Sequence, residues 1–263
     1  APASFLLTCD LPNEAVLLTD QTTVTLSNIE ISEKLFFVLL EKTRVTVGEN
    51  FSITGHNYNS YDCIREHGMA RNSPFELVRN VPQSPLALEN IERMPSNSIG
   101  CVLREVYLSD NGLINILPKL RINGDCEIKR FSVTATRREH VAAVLAQKKP
   151  FCVGRVKDMH LREYAVGVIT KMSLKDCEIE SLRLTASEEA HVAEVLKQEK
   201  PFCVGRVKYM YLWDYAVCVI TKMSLKDCEI EMLVLDASEE AHVAEVPKQE
   251  KPFCLGRVKD MYL

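Results

Sequence analysis

A chain of 263 residues with 46% hydrophobic content holds enough apolar mass for a sizeable core, which excludes a disordered polypeptide. Its 32 basic and 36 acidic residues nearly cancel and are interspersed, so charge offers no footprint for nucleic acid or an anionic membrane surface. No apolar run reaches the roughly 18 residues of a membrane span, and the cysteines include no Cys-x-x-Cys pair, which reads as reduced thiols of a cytoplasmic protein.

The opening Ala1-Pro2-Ala3-Ser4-Phe5-Leu6-Leu7 has no basic flank and too few apolar residues for a signal peptide, and the expectation is a fragment of a longer chain. Over residues 1-54 the spacing predicts a helix from Ser32 to Lys42, which contains the longest apolar run, Leu35 to Leu40. A stretch with Val45, Val47, Asn50 and Ile53 follows, and the segment is read as degenerate N-terminal repeats. The sequon Asn50-Phe51-Ser52 fits chance as well as use. Residues 55-101 are rich in Asn, Ser and Pro, with turn signals at Gly55, Pro74, Pro82, Pro85 and Pro95, and read as an irregular insertion or a further degenerate repeat.

Residues 102-263 repeat with a period of 51: Met172 through Glu180 returns unchanged as Met223 through Glu231, and Ser187 through Val195 returns at Ser238 to Val246 with conservative spacing. Lys200-Pro201-Phe202-Cys203 returns at Lys251 to Cys254, and a diverged copy supplies Cys126-Glu127-Ile128, His140-Val141-Ala142 and Pro150-Phe151-Cys152. A fixed period of this kind implies stacked units that share one core. Each period predicts one helix, capped by Ser187, carrying Ala190, Ala193 and Leu196 as its buried stripe and stopped by Pro201. In the third copy Pro247 stands where the second has Leu196, which is tolerated only where that turn is frayed. Glu178 to Leu184 and Gly205 to Leu212 alternate as half-buried strands, so the unit is α/β.

Within the strands, Leu103-Arg104-Glu105-Val106-Tyr107-Leu108-Ser109-Asp110-Asn111-Gly112-Leu113 fits L-x-x-L-x-L-x-x-N-x-L at every fixed position. Ile169, Met172, Leu174, Cys177 and Ile179 fit the cysteine variant, as do Ile220, Met223, Leu225, Cys228 and Ile230. Val156, Met159, Leu161 and Val207, Met210, Leu212 fit the strand half, with Tyr164 and Tyr215 at the Asn position. The region resembles the leucine-rich repeats of cytosolic proteins and is similar to those of ribonuclease inhibitor and of nucleotide-binding leucine-rich-repeat (NOD-like) receptors. The resemblance implies a solenoid with a curved parallel sheet and helices on the convex side, built here as a double repeat of two coils of about 28 and 23 residues. The chain stops inside the motif Val258, Met261, Leu263, which is expected of a truncated solenoid.

Candidate chemistry is sparse. His191 and His242 precede Glu194 and Glu245 by one helical turn, a two-ligand pattern that reads as a solvated helix face more readily than as a zinc site, which needs three or four ligands. Cys126, Cys152, Cys177, Cys203, Cys228 and Cys254 alternate at 26 and 25 residues and are read as packing groups of a crowded turn, ahead of a metal or redox role. No phosphate loop, nucleophile elbow or kinase signature occurs, so neither a cofactor, a metal nor an enzymatic activity is expected.

The expectation is therefore a protein-binding module with no nucleic-acid or membrane partner. Its concave face would include Asp158, His160, Arg162 and Glu163 of one coil against Tyr209, Tyr211, Trp213 and Asp214 of the next, with Tyr209, Tyr211 and Trp213 as the hot spot. The alternative places Trp213 against a neighbouring coil and the tyrosines in a core. Ser181, Arg183 and Thr185 against Met232, Val234 and Asp236 form a second outward set that differs between copies. The resemblance points to the ligand-sensing region of an innate-immune receptor, with the substrate-recognition region of an F-box-type ubiquitin ligase, or a ribonuclease-inhibitor-like binder with acidic clusters on that face, as alternatives.

Overall fold

The computed structural model describes residues 1–10, 14–56, 63–68, 74–80, 83–226, 228–247 and 254–263. Strands β1 (Ser4–Leu7), β2 (Thr23–Leu26) and β3 (Ile29–Ser32) lead into helix α1 (Glu33–Lys42), where Ser32 is the N-cap and its side chain accepts from the Leu35 N–H. Phe36, Phe37, Leu39 and Leu40 are buried and Val38 faces out, so the longest apolar run is the core face of an amphipathic helix. Among the described residues no helix is long and apolar enough to cross a membrane.

After α1 come β4 (Arg44–Val47), β5 (Phe51–Thr54), β6 (Ile64–Glu66) and β7 (Phe75–Arg79), then α2 (Pro85–Arg93), β8 (Ile99–Cys101), β9 (Leu103–Ser109) and β10 (Leu120–Ile122). The pairing β1-β2-β4 is parallel, and a second sheet runs β10-β8-β5-β3-β6 with only β3 and β6 antiparallel. The turn residues Asn28 and Asn50 both take positive φ, and Asn50 Nδ2 donates to Asn28 Oδ1 at 2.9 Å. Asn90 of α2 is buried and saturated: its Oδ1 accepts from Val45 N–H, and its Nδ2 donates to the carbonyls of Leu40 and Thr43. Pro85 is the first residue of α2, after the N-cap Ser84, while the turn signal at Pro82 lies outside the described residues.

The largest sheet has eight strands, in the order β7, β9, β11 (Glu127–Ala135), β13 (Arg155–Glu163), β15 (Glu178–Ala186), β17 (Arg206–Asp214), β19 (Glu229–Asp236) and β20 (Arg257–Tyr262), all pairs parallel. Between them lie the two-residue strands β12 (Phe151–Cys152), β14 (Met172–Ser173), β16 (Phe202–Cys203) and β18 (Met223–Ser224) and the helices α3 (Ala142–Leu145) and α4 (Glu189–Leu196). The sheet begins at β7, upstream of residue 102. Its inward rows align: Phe131, Met159, Leu182, Met210 and Leu233 in one, Val133, Leu161, Leu184, Leu212 and Leu235 in the next. Beneath this face run the 3-10 helices Gly112–Lys119, Tyr164–Lys171 and Tyr215–Lys222.

Several expectations change here. Ile169, Met172 and Leu174, with Ile220, Met223 and Leu225, are not strands of the large sheet: the isoleucines lie in 3-10 helices, and Met172–Ser173 and Met223–Ser224 pair only with β12 and β16. Those residues fall where the chain must return beneath the sheet, so their apolar spacing serves the underside. The second-copy helix spans Glu189–Leu196 rather than Ser187 to Lys200, and it buries His191, Val192 and Val195 instead of Ala190, Ala193 and Leu196. Ser187 is not the cap, because its N–H and hydroxyl both donate to Glu163 Oε2, which delays the helix and turns its buried face. The matching segments are less regular: a 3-10 turn Arg138–Val141 that runs into α3, and only a 3-10 turn Glu240–Val243 in the copy that carries Pro247. Residues 248–253, with most of the Lys251 to Cys254 match, lie outside the described residues.

The cysteine series also divides. Cys126, Cys177 and Cys228 are buried, and their thiols donate to the carbonyls of Leu103, Gly154 and Gly205 on the preceding strand segment. Cys152 is half-buried and Cys203 and Cys254 are exposed, so the packing role holds for alternate members. Gly205 has φ +74, and a Cβ there would sit 2.4 Å from the Cys177 carbonyl oxygen and 2.5 Å from that of Leu174. The run Gly205-Arg206-Val207-Lys208, repeated from Gly154 and from Gly256, thus begins with glycine because the chain passes directly over the cysteine turn. On the underside Lys119, Lys171 and Lys222 each reach back to carbonyls at or just past the end of the preceding helical segment: Glu92 and Met94, Gln147, and Gln198.

Candidate functional site

Strand alternation turns every second side chain away from the core, and no described element covers that outer face of the eight-stranded sheet. On β13 the outward residues are Asp158, His160 and Arg162; on β15 Ser181, Arg183 and Thr185; on β17 Tyr209, Tyr211 and Trp213. The register sets them in rows: Asp158, Ser181, Tyr209; His160, Arg183, Tyr211; Arg162, Thr185, Trp213. Residues from both coils and from the second outward set therefore meet on one surface. Farther along the middle row lie Tyr107, 45% exposed, and Val78, 48% exposed.

The aromatic group is ordered by its own contacts. Tyr211 and Trp213 stack with centroids 5.7 Å apart and planes 9° from parallel, and Arg183 lies over the Tyr211 ring at 5.5 Å. Tyr209 donates to Glu231 Oε2 at 2.9 Å, with Lys208 over its ring. All three aromatics are half-buried. The core positions of β17 are Val207, Met210 and Leu212, so the tyrosines do not line a core, and Trp213 stacks on its own strand. Burial, then Arg162 and Arg183, push the His160 imidazole below its ordinary range, which keeps it uncharged near neutrality. The Ser181 hydroxyl is buried between Asp158 and Tyr209 with no hydrogen-bond partner among the described residues.

Glu163 and Asp214 do different work. With Asp110, they are strand-end acids at positive φ (57°, 56° and 49°), and each faces a hydroxyl or histidine of the next coil. Glu163 Oε2 lies 2.6 Å from His191 Nδ1 and accepts from the Ser187 N–H and hydroxyl. One nitrogen cannot donate to Glu163 and also accept from Glu188 N–H, 3.1 Å away; the shorter contact to a carboxylate places the proton on Nδ1. Tyr164 closes the site edge-on to His191 at 4.5 Å. Asp110 accepts from the N–H and hydroxyl of Thr136, at 2.7 Å each, but stops 4.0 Å short of His140, and Asp214 stops 3.9 Å short of His242. Aspartate is one methylene shorter, so only Glu163 closes the contact.

His191 and His242 are consequently buried groups and not a solvated helix face. Glu194, the second member of that two-ligand pattern, pairs with Arg138 and Lys197. Among the described residues no group of three or more His, Cys, Asp or Glu is placed to hold a metal ion. Burial raises the thiols of Cys126 and Cys177 above the ordinary range and that of Cys101 far above it, the reverse of what a nucleophile or metal ligand needs. Cys101 lies 25 residues before Cys126 and continues the series upstream, a member that sequence comparison missed because its surroundings have diverged. The acid–hydroxyl–His set was also missed, although Asp110, Glu163 and Asp214 recur with Thr136, Ser187 and Ser238 and with His140, His191 and His242 at nearly constant offsets.

Comparisons with protein-family models, curated proteins and solved structures return no match for this chain.

Proposed function

We propose that the uncovered face of the eight-stranded sheet is a protein-binding surface, and that the chain is a recognition module of the leucine-rich-repeat type acting within the cytoplasm. The observation that carries the reading is the stacked Tyr211–Trp213 pair with Arg183 over it, half-buried on a face that no described element covers. Tyr, Trp and Arg are the residues that most often anchor interfaces, and here they are held without a core function. The alternating L-x-L framework and the successive parallel strands support the repeat-module part of the proposal. A ribonuclease-inhibitor-like reading needs acidic clusters on this face, and its middle and last rows around Tyr211 carry Arg183 and Arg162 with the single carboxylate Asp236. The innate-immune assignment is the leading choice among the repeat-family alternatives and rests on the motif resemblance alone.

The test is affinity capture from cytosol with the wild-type chain and a triple variant, Tyr209→Ala, Tyr211→Ser and Trp213→Ala, after circular dichroism has shown equal folding. Loss of specific partners from the variant supports the proposal. An unchanged set of partners refutes the hot spot.

A further inference from the structure

We infer that the patch around Arg162 and Arg183 takes a carboxylate-rich segment of a protein partner, with a flanking apolar side chain seated on the Tyr211–Trp213 stack. The inference rests on the sheet face being a protein-binding surface and adds the chemistry of what binds there.

Arg162 and Arg183 are exposed, sit on neighbouring strands, and form no ion pair with a described residue. The basic residues at the start of β13 and β17 behave differently. Arg155 pairs with Asp125, Lys157 with Glu127, Arg206 with Glu178 and Lys208 with Glu231, so basic and acidic coils neutralise one another at the other end of the sheet. In a chain with more acidic than basic residues, two adjacent guanidinium groups left without carboxylates are unfilled binding capacity. A guanidinium presents a planar fork that matches a carboxylate, and Arg183 is already oriented over Tyr211. The half-buried stack beside it offers an apolar surface for the neighbouring residue of the same ligand. A polynucleotide would need a track of cations, whereas this patch is two arginines wide and bounded by Asp158 on one side and Asp236 beyond Trp213 on the other.

Trp213 is the one tryptophan of the chain, so its emission reports on this patch alone. The full chain is titrated with three blocked peptides of equal length, each with a central leucine: one flanked by glutamates, one by glutamines, one by lysines. Oligouridylate of matching charge is the fourth probe. The expected result is a saturable change in Trp213 emission with the glutamate peptide, weakened by salt, and a roughly tenfold loss of affinity in Arg183→Gln and in Arg162→Gln. Both residues are exposed, and matched circular dichroism of the variants confirms their folding. Equal binding of the glutamine peptide that survives Arg183→Gln overturns the acidic preference and keeps the face as a binding surface. Stronger binding of the lysine peptide or of oligouridylate, or no response to any probe, overturns the inference, and the capture experiment decides the face independently.

Discussion

Replacing Glu163 separates two opposing contributions. Its carboxylate accepts from Ser187 twice and from His191 once, while its backbone is held at φ 57°, ψ −133°, which side-chain-bearing residues rarely adopt. In Glu163→Ala the two Ser187 groups are exposed and recover water, costing about 1 kcal/mol, while the buried His191 loses its carboxylate partner, costing about 1–3 kcal/mol. The sum is roughly 2–4 kcal/mol, or about 4–16 °C in Tm at the 2–4 °C per kcal/mol typical of a chain this size. Glu163→Gly loses the same bonds but releases strain of about 1–3 kcal/mol, against an unfolded-state entropy cost of about 0.5–1 kcal/mol. Glycine should therefore be the milder substitution by up to roughly 2.5 kcal/mol. Urea unfolding followed by circular dichroism, compared at matching m-values, measures both. If Glu163→Gly proves no more stable than Glu163→Ala, the stored strain is refuted, and if Glu163→Ala matches wild type, the buried His191 contact contributes nothing.

Three further outcomes follow from the same geometry. Gly205→Ala should destabilise by at least about 2 kcal/mol, since positive φ and two carbonyl oxygens oppose its Cβ, while Gly124→Ala, with nothing within 4 Å, should change little in the same melt. Asp214→Glu should span the 3.9 Å gap to His242 and raise the melting temperature by a few degrees; a lower melting temperature would sink the chain-length argument. For Asp110, partial burial raises the carboxyl, but the Thr136 N–H and hydroxyl, with His140 and Arg137, outweigh it and hold the group below the usual carboxylate range. A depressed folded value contributes stability that is fully present above the unfolded value of about 3.9 and is lost as pH falls through the folded one. The gap in melting temperature between wild type and Asp110→Asn should thus shrink on acidification below about pH 4, and a gap that widens would refute the assignment.

Much of this architecture is legible in the sequence. The period of 51, the inward Leu and Met of the strands, the helix after Ser32 and the outward grouping of Tyr209, Tyr211 and Trp213 all follow from spacing, because periodicity and alternation are set within a few residues of the chain. Asn111, in the one complete motif, does what the pattern predicts: its Oδ1 accepts from the Leu113 N–H and its Nδ2 donates to the Arg79 carbonyl, joining adjacent coils. Spacing did not separate the three L-x-L-like pieces of each period, since an apolar residue reads alike whether it faces a sheet or a 3-10 helix beneath it.

The repeat and the identity of the outward residues were thus determined by the sequence by itself. The tertiary structure alone decided what those residues meet. Glu163 finds Ser187 and His191 across a coil, and Arg183 comes to lie over Tyr211, because strand register places groups tens of residues apart side by side. The same register pairs Arg206 and Lys208 with carboxylates and leaves Arg162 and Arg183 without them. Local propensity carries no information about such neighbours: a side chain's partner is set by the distance across the sheet, not by its distance along the chain.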